Sequence, residues 1–296
     1  MTGGPRALDS PRRGVTTGPW LAVPLAFCLL IWFVLPLALL LSESLREVVV
    51  GQPTPRGLTL ANYARFLLDP FYLGTLRATL VLGAVVTALA LVLAYPVAYG
   101  LARSRHRWKT ALRLCVVAPL LVSVVIRTYG WIVLLANNGA VNQALLLLRL
   151  VDEPVRFLFT YTGVLIGLVH FALPVAVLSL VGVIEAVDQT LEDAARGLGA
   201  GPWRTFWAVT FPLTLPGVGA GAMLVFSLTV AAFVTPALMG GPSLVVLSTL
   251  IYQQMTVTLE WGFGAAVATI LLVTATGLFL VAQRLLGRAR GLGAAV

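Results

Sequence analysis

A stretch of 55 residues, 205–259, carries no charged side chain. Water gives a chain no reason to avoid charge for so long. Lipid does, because an ionised group at bilayer depth is costly. Five further runs behave alike, 20–41, 78–101, 114–136, 157–184 and 261–283, and Arg127 is the one Arg, Lys, Asp or Glu among them. Each is as long as the roughly 20 residues a helix needs to cross hydrocarbon. The 59% hydrophobic and 10% charged composition excludes a water-soluble globular enzyme, which runs near a quarter charged. It equally excludes a disordered chain. The reading is an all-α membrane protein. It has a tail at 1–19, a transmembrane domain at 20–286 and a second tail at 287–296.

The 55-residue run is long enough for two spans, but its second part is short for one. Residues 244–259 include Gln253 and Gln254, which suits a re-entrant or interfacial segment. One span is therefore expected there, near 215–238, for six in all. Sorting the basic residues by side then puts 13 with the N-terminus and six opposite. The excess of arginine and lysine on cytoplasmic loops places both termini in the cytoplasm. A seventh span would send Arg284, Arg288 and Arg290 outward. The first run is long for a signal peptide and no A-x-A site follows it, so it is expected to stay as the first helix.

The polar loop before the 55-residue run carries the most specific signal. Thr190-x-x-Asp193 reads as a capping box. Leu191, Ala194, Ala195 and Leu198 share one helical face, with Glu192, Asp193 and Arg196 off it. Gly199 stands where a helix end needs a left-handed residue, and Pro202 where a first turn accepts proline. Lipid-surface helices carry bulky apolar groups opposite Lys and Arg. This acidic, alanine-faced helix suits either that role or, better, a close-fitting protein partner.

Asp193-Ala194-Ala195, three residues, Gly199, nine residues, then Val209-Thr210-Phe211-Pro212 resembles the EAA loop of ABC importer permeases, with Asp for Glu, Val for Ile and Phe for Leu. Arg127-Thr128-Tyr129-Gly130-Trp131 and Asn138-Gly139-x-x-Asn142 are similar to the spermidine/putrescine-type branch. So are Phe233-Val234-Thr235-Pro236 through Gly241 and Trp261-Gly262-x-Gly264. The likeness covers roughly residues 20–285. It implies a type I importer permease fold in a bacterial inner membrane, forming half of a pathway for a small polar solute such as a polyamine. It also implies an ATPase subunit docked through Glu192, Asp193, Ala194, Ala195, Arg196, Gly199 and Pro212, a second permease subunit and an external solute-binding protein. Arg127, Tyr129, Trp131, Asn138, Thr235 and Pro236 are the residues expected along the path.

Other features are read from the residues. Arg127 either lines the path or pairs with carbonyls. His170, without an intramembrane acid, is expected to make a structural hydrogen bond. Gly217-x-x-x-Gly221 permits close helix approach, either inside the chain or to a second copy. Cys28 and Cys115 lie in apolar runs and are packing residues. No acid pair stands within a span, and no H-E-x-x-H, G-x-S-x-G or phosphate-binding GxxxxGK[ST] appears. No enzyme activity, metal, cofactor or nucleic-acid partner is expected. Two classes remain: a permease powered by a separate ATPase, or a self-contained carrier or channel. An ion-coupled carrier usually needs membrane acids, which favours the first.

Overall fold

The computed structural model describes residues 22–46, 57–104 and 109–293. Residues 1–19, expected as a tail, lie outside them. Thirteen α-helices and no strand of a sheet occur among the described residues. They are α1 (Ala22–Ser44), α2 (Ala61–Leu68), α3 (Pro70–Arg103), α4 (Lys109–Leu121), α5 (Val124–Leu135), α6 (Ala140–Leu147), α7 (Tyr161–Glu185), α8 (Gln189–Gly197), α9 (Pro202–Thr205), α10 (Phe211–Val230), α11 (Val234–Met239), α12 (Leu247–Thr256) and α13 (Trp261–Gly293). Among the described residues, six segments are long and apolar enough to cross a membrane. Residues 287–293 of the expected second tail continue α13.

The centre is a trio of α3, α7 and α10. Ala90, Ala94 and Ala98 repeat every four residues along α3, and all are fully buried. They meet Leu168, Ala172, Ala176 and Leu180 of α7 in one core. Small residues let the backbones approach, which is how membrane helices gain packing contacts. On α10, a Cβ at Gly217 would collide with Val183 of α7, and one at Gly221 would touch Ser179 at 3.4 Å. The glycine pair therefore serves packing inside the chain. α1 runs along α13 at the periphery and turns Trp32, 79% exposed, and Phe33 outward, as a lipid-facing helix does.

Two of the expected spans are built differently. Residues 114–136 are not one helix, because α4 ends at Leu121 and α5 starts at Val124. Pro119 cannot donate to the carbonyl four residues back, and Ser123 takes an extended ψ of 138°. The crossing is completed by α5 and α6, Val124–Leu147. The span placed at 215–238 begins earlier and stops sooner, at Pro202–Val230, and α11 follows a break at residues 231–233. Pro236 in α11 lacks the N–H that would reach the Ala232 carbonyl. Ser248 Oγ donates to that carbonyl instead, at 2.8 Å. Irregular backbone of this kind survives at membrane depth only where protein satisfies it. The short α12 is the expected non-spanning segment of 244–259.

At the end of the bundle away from α8, Phe66, Tyr72, Leu247, Leu250, Phe263 and Val267 form a second core. Arg65 caps it. Its guanidinium lies 4.2 Å from the centroid of Phe263 and pairs with Glu260 at 2.5 Å. Burial opposes the Arg65 charge, but the Glu260 carboxylate outweighs it and raises the pKa.

Candidate functional site

The loop singled out by its motif folds as expected in outline, with one shift at its start. Asp188, not Thr190, caps α8. Its carboxylate accepts the Thr190 backbone N–H at 2.9 Å. That bond holds the fully exposed Asp188 carboxyl below its ordinary pKa. An aspartate two residues upstream serves the cap at least as well as threonine, so the helix starts earlier. It ends in a Schellman turn, where Ala200 N–H donates to Ala195 O at 3.0 Å and Gly199 N–H to Arg196 O at 2.9 Å. Gly199 has φ +87°, the left-handed conformation its position called for. Pro202 then opens α9 at its first position.

The apolar face of α8 points away from the bundle. Leu198 is 91% exposed, and Leu191, Ala194 and the nearby Trp203 are exposed too, with Ala195 half-buried. This face of alanines rimmed by leucines is left uncovered by the rest of the chain. Asp193 and Arg196 stand beside it, paired at 2.9 Å.

Glu192, off the apolar face, turns the other way from it. It is 2% exposed and turned into the bundle. Its Oε1 accepts from Arg103 Nε at 3.0 Å, Arg103 Nη2 at 2.7 Å and Thr210 Oγ at 3.0 Å. Its Oε2 accepts from Arg196 Nη2 at 3.2 Å. Arg103 and Thr210 were not singled out from sequence. The available signals were weak: an arginine closing a span, and a threonine at the open position of the Val-x-Phe-Pro motif. Thr210 lies in a π-helical turn, Phe206–Thr210, between α9 and α10. Pro212 accounts for that turn. It cannot donate to the carbonyl four residues back, and Phe211 N–H reaches Phe206 O instead. The wider turn keeps the helix continuous and leaves Thr210 fully buried beneath α8.

The second group lies at mid-depth. Arg127, Thr128, Trp131, Gly167, His170, Phe171 and Thr235 surround a cavity of about 10 Å³, the room of roughly one water. Thr128 and Thr235 hydroxyls are 3.2 Å apart. The Arg127 guanidinium lies 5.5 Å from the Phe171 ring centroid, and its Nε and Nη1 have no hydrogen-bond partner among the described residues. The His170 ring makes no hydrogen bond among the described residues and meets Trp131 edge-on, centroids 5.4 Å apart. Of the expected path residues, Arg127, Trp131 and Thr235 converge here, with Pro236 buried beside Thr235. Tyr129 faces outward and Asn138 is exposed in the α5–α6 turn, so neither joins them. The neighbouring Asn142 is structural: it accepts the Val155 N–H and donates to the Val155 and Ala136 carbonyls.

Six segments able to span a membrane, with helices broken at membrane depth, define a multi-pass membrane protein. The family of binding-protein-dependent transport system inner membrane components matches residues 54–291, and the chain belongs to that family. It is thus the permease component of an ABC importer, multi-pass in an inner membrane, and the self-contained carrier is set aside. It is 38% identical over 234 residues to the Escherichia coli spermidine/putrescine transport system permease protein PotB, covering 78% of this chain and 84% of that one. The Haemophilus influenzae PotB is 32% identical over 272 residues, covering 90% and 95%. Among solved structures, a chain of a bacterial alginate ABC transporter, in complex with alginate pentasaccharide-bound periplasmic protein, superposes with TM-score 0.74 at 17% identity. That match covers 89% of this chain and 93% of that one, and it shares the fold.

Proposed function

We propose that this chain forms half of the translocation path for a small polar solute, polyamines being the leading class, and that a separate ATPase docks on the exposed face of α8. The observation that carries the reading is the outward apolar face of Leu191, Ala194 and Leu198 within the EAA-like segment. Asp193 and Arg196 flank the contact, Gly199 aims the chain out of it, and Pro212 shapes the turn behind it. A second permease supplies the other half, an external binding protein delivers the solute, and ATP hydrolysis belongs to the ATPase. The basic-residue excess on the α8 side supports cytoplasmic termini. The names of the PotB relatives support a polyamine. Arg127, Trp131 and Thr235 line the path, with Tyr129, Asn138 and Pro236 at its margins.

The test is co-purification followed by uptake. The permease pair and ATPase, reconstituted in vesicles with the binding protein, are expected to take up radiolabelled spermidine or putrescine only with ATP inside. Ala195→Trp is expected to release the ATPase, because overpacking a tight contact costs about 1–3 kcal/mol, with each 1.4 kcal/mol tenfold in affinity. Full ATPase retention in that variant refutes docking on α8. Uptake of an amino acid or molybdate, but of no polyamine, refutes the substrate class alone.

A further inference from the structure

We propose that Glu192 is the positioning residue through which displacement of α8 reaches the transmembrane core, by its shared hold on Arg103 of α3 and Thr210 at the base of α10. This rests on the reading of α8 as the ATPase-docking helix. One side of α8 is open, and on the other it packs on α9 and the π-helical turn that follow it in sequence. Packing contacts by themselves permit sliding. The carboxylate does not: one oxygen receives three donors, from the last residue of α3 and from Thr210. Charge-assisted bonds fix direction as well as distance. Arg103 is tied further, donating from Nη2 to the Val187 carbonyl at 3.1 Å. Moving α8 without moving Arg103 would strip the almost wholly buried Glu192 Oε1 of its three donors and leave the carboxylate only the half-exposed Arg196 of its own helix, and breaking a buried charge pair is strongly unfavourable. The low-cost motion carries α3 and α10 along. Both belong to the central trio, so a push at α8 enters the bundle at its core. The π-helical turn has a reason within the same device, since it sets Thr210 under the carboxylate.

The proposal is tested with the whole complex and no solute, using Mg-ATP with vanadate as the probe and amide hydrogen exchange as the readout. In the parent, trapping is expected to change exchange by about threefold or more in 189–198 and also in 98–104 and 206–214. In Glu192→Gln the change in 189–198 is expected to persist, and the changes in the other two segments to fall below detection. Thr210→Val, isosteric and with the charge pair intact, is expected to weaken the 206–214 response at least twofold, and it decides the matter where Glu192→Gln assembles poorly. A purely structural role raises exchange with or without ATP and leaves the ATP-dependent difference in place. That result overturns the proposal, as does a parent complex in which only α8 responds. An ATPase that never co-purifies with the parent permease overturns the docking reading instead.

Discussion

Gly199 offers a test in which conformation and bulk separate cleanly. Nothing lies within 4 Å of a Cβ built there, so a larger residue meets no obstacle inside this chain. What it meets is φ +87°. An L side chain in the left-handed region costs about 1–2 kcal/mol. At 1.4 kcal/mol per factor of ten, that is about a 5- to 30-fold loss in the population holding the Schellman turn. Asparagine tolerates the region best among the alternatives, and a branched Cβ worst. Gly199→Asn, Gly199→Ala and Gly199→Val are therefore expected to lose transport in that order, with Val at or beyond the 30-fold end. Membrane insertion should stay near normal in all three, since the turn lies outside the spans. ATP-driven uptake in vesicles gives the activity, and retention of the ATPase through purification gives the docking. If Asn is as damaging as Val, the glycine is needed for contact with the partner and not for backbone hand. If Val transports like the parent, the turn does not aim α9 at all.

Three further outcomes follow from the packing. Gly217→Ala should destabilise the purified protein by about 1–3 kcal/mol through overpacking on Val183 and so lower its thermal midpoint, whereas Gly182→Ala, with open space at its Cβ, should hold or raise it; equal effects would refute the close α7–α10 approach. Ser248→Ala orphans the Ala232 carbonyl and should cost about 1–3 kcal/mol, while Ser248→Thr should restore most of it. The Asp188 pKa is lowered by its cap, so its contribution is present above the unfolded value and lost as pH falls through the folded one; Thr190 amide protection should drop in acid, and Asp188→Asn should flatten that dependence.

The number of spans was legible because charge is expensive in lipid and its absence is easy to see. Where helices break inside those spans was not. A stretch apolar on every side has no phase, so residues 114–136 look alike whether Ser123 is helical or extended. Pro119 and Pro236 were visible, but prolines also sit unbroken in α3 and α7. In α8 the periodicity identified the apolar face, and Gly199 its end. The same periodicity is silent on Glu192. It puts the charge off the stripe, but the partner that buries it, Arg103, stands 89 residues away. Likewise Tyr129, two residues from Arg127, shared its motif but not its direction.

The place of α1 has a consequence for how the protein is made. Along its length this helix rests on α13, which begins about 220 residues later. A ribosome adding roughly 5–20 residues per second needs on the order of 10–40 s to supply that neighbour. For that interval most of α1 has only lipid and the membrane machinery for company, with α2 bonded to its end at Ser44 through Tyr63 and Asn62. Its hydropathy, free of charge across 20–41, is what a segment needs to wait alone, and a polar substitution in α1 should act on biogenesis before it acts on the finished transporter.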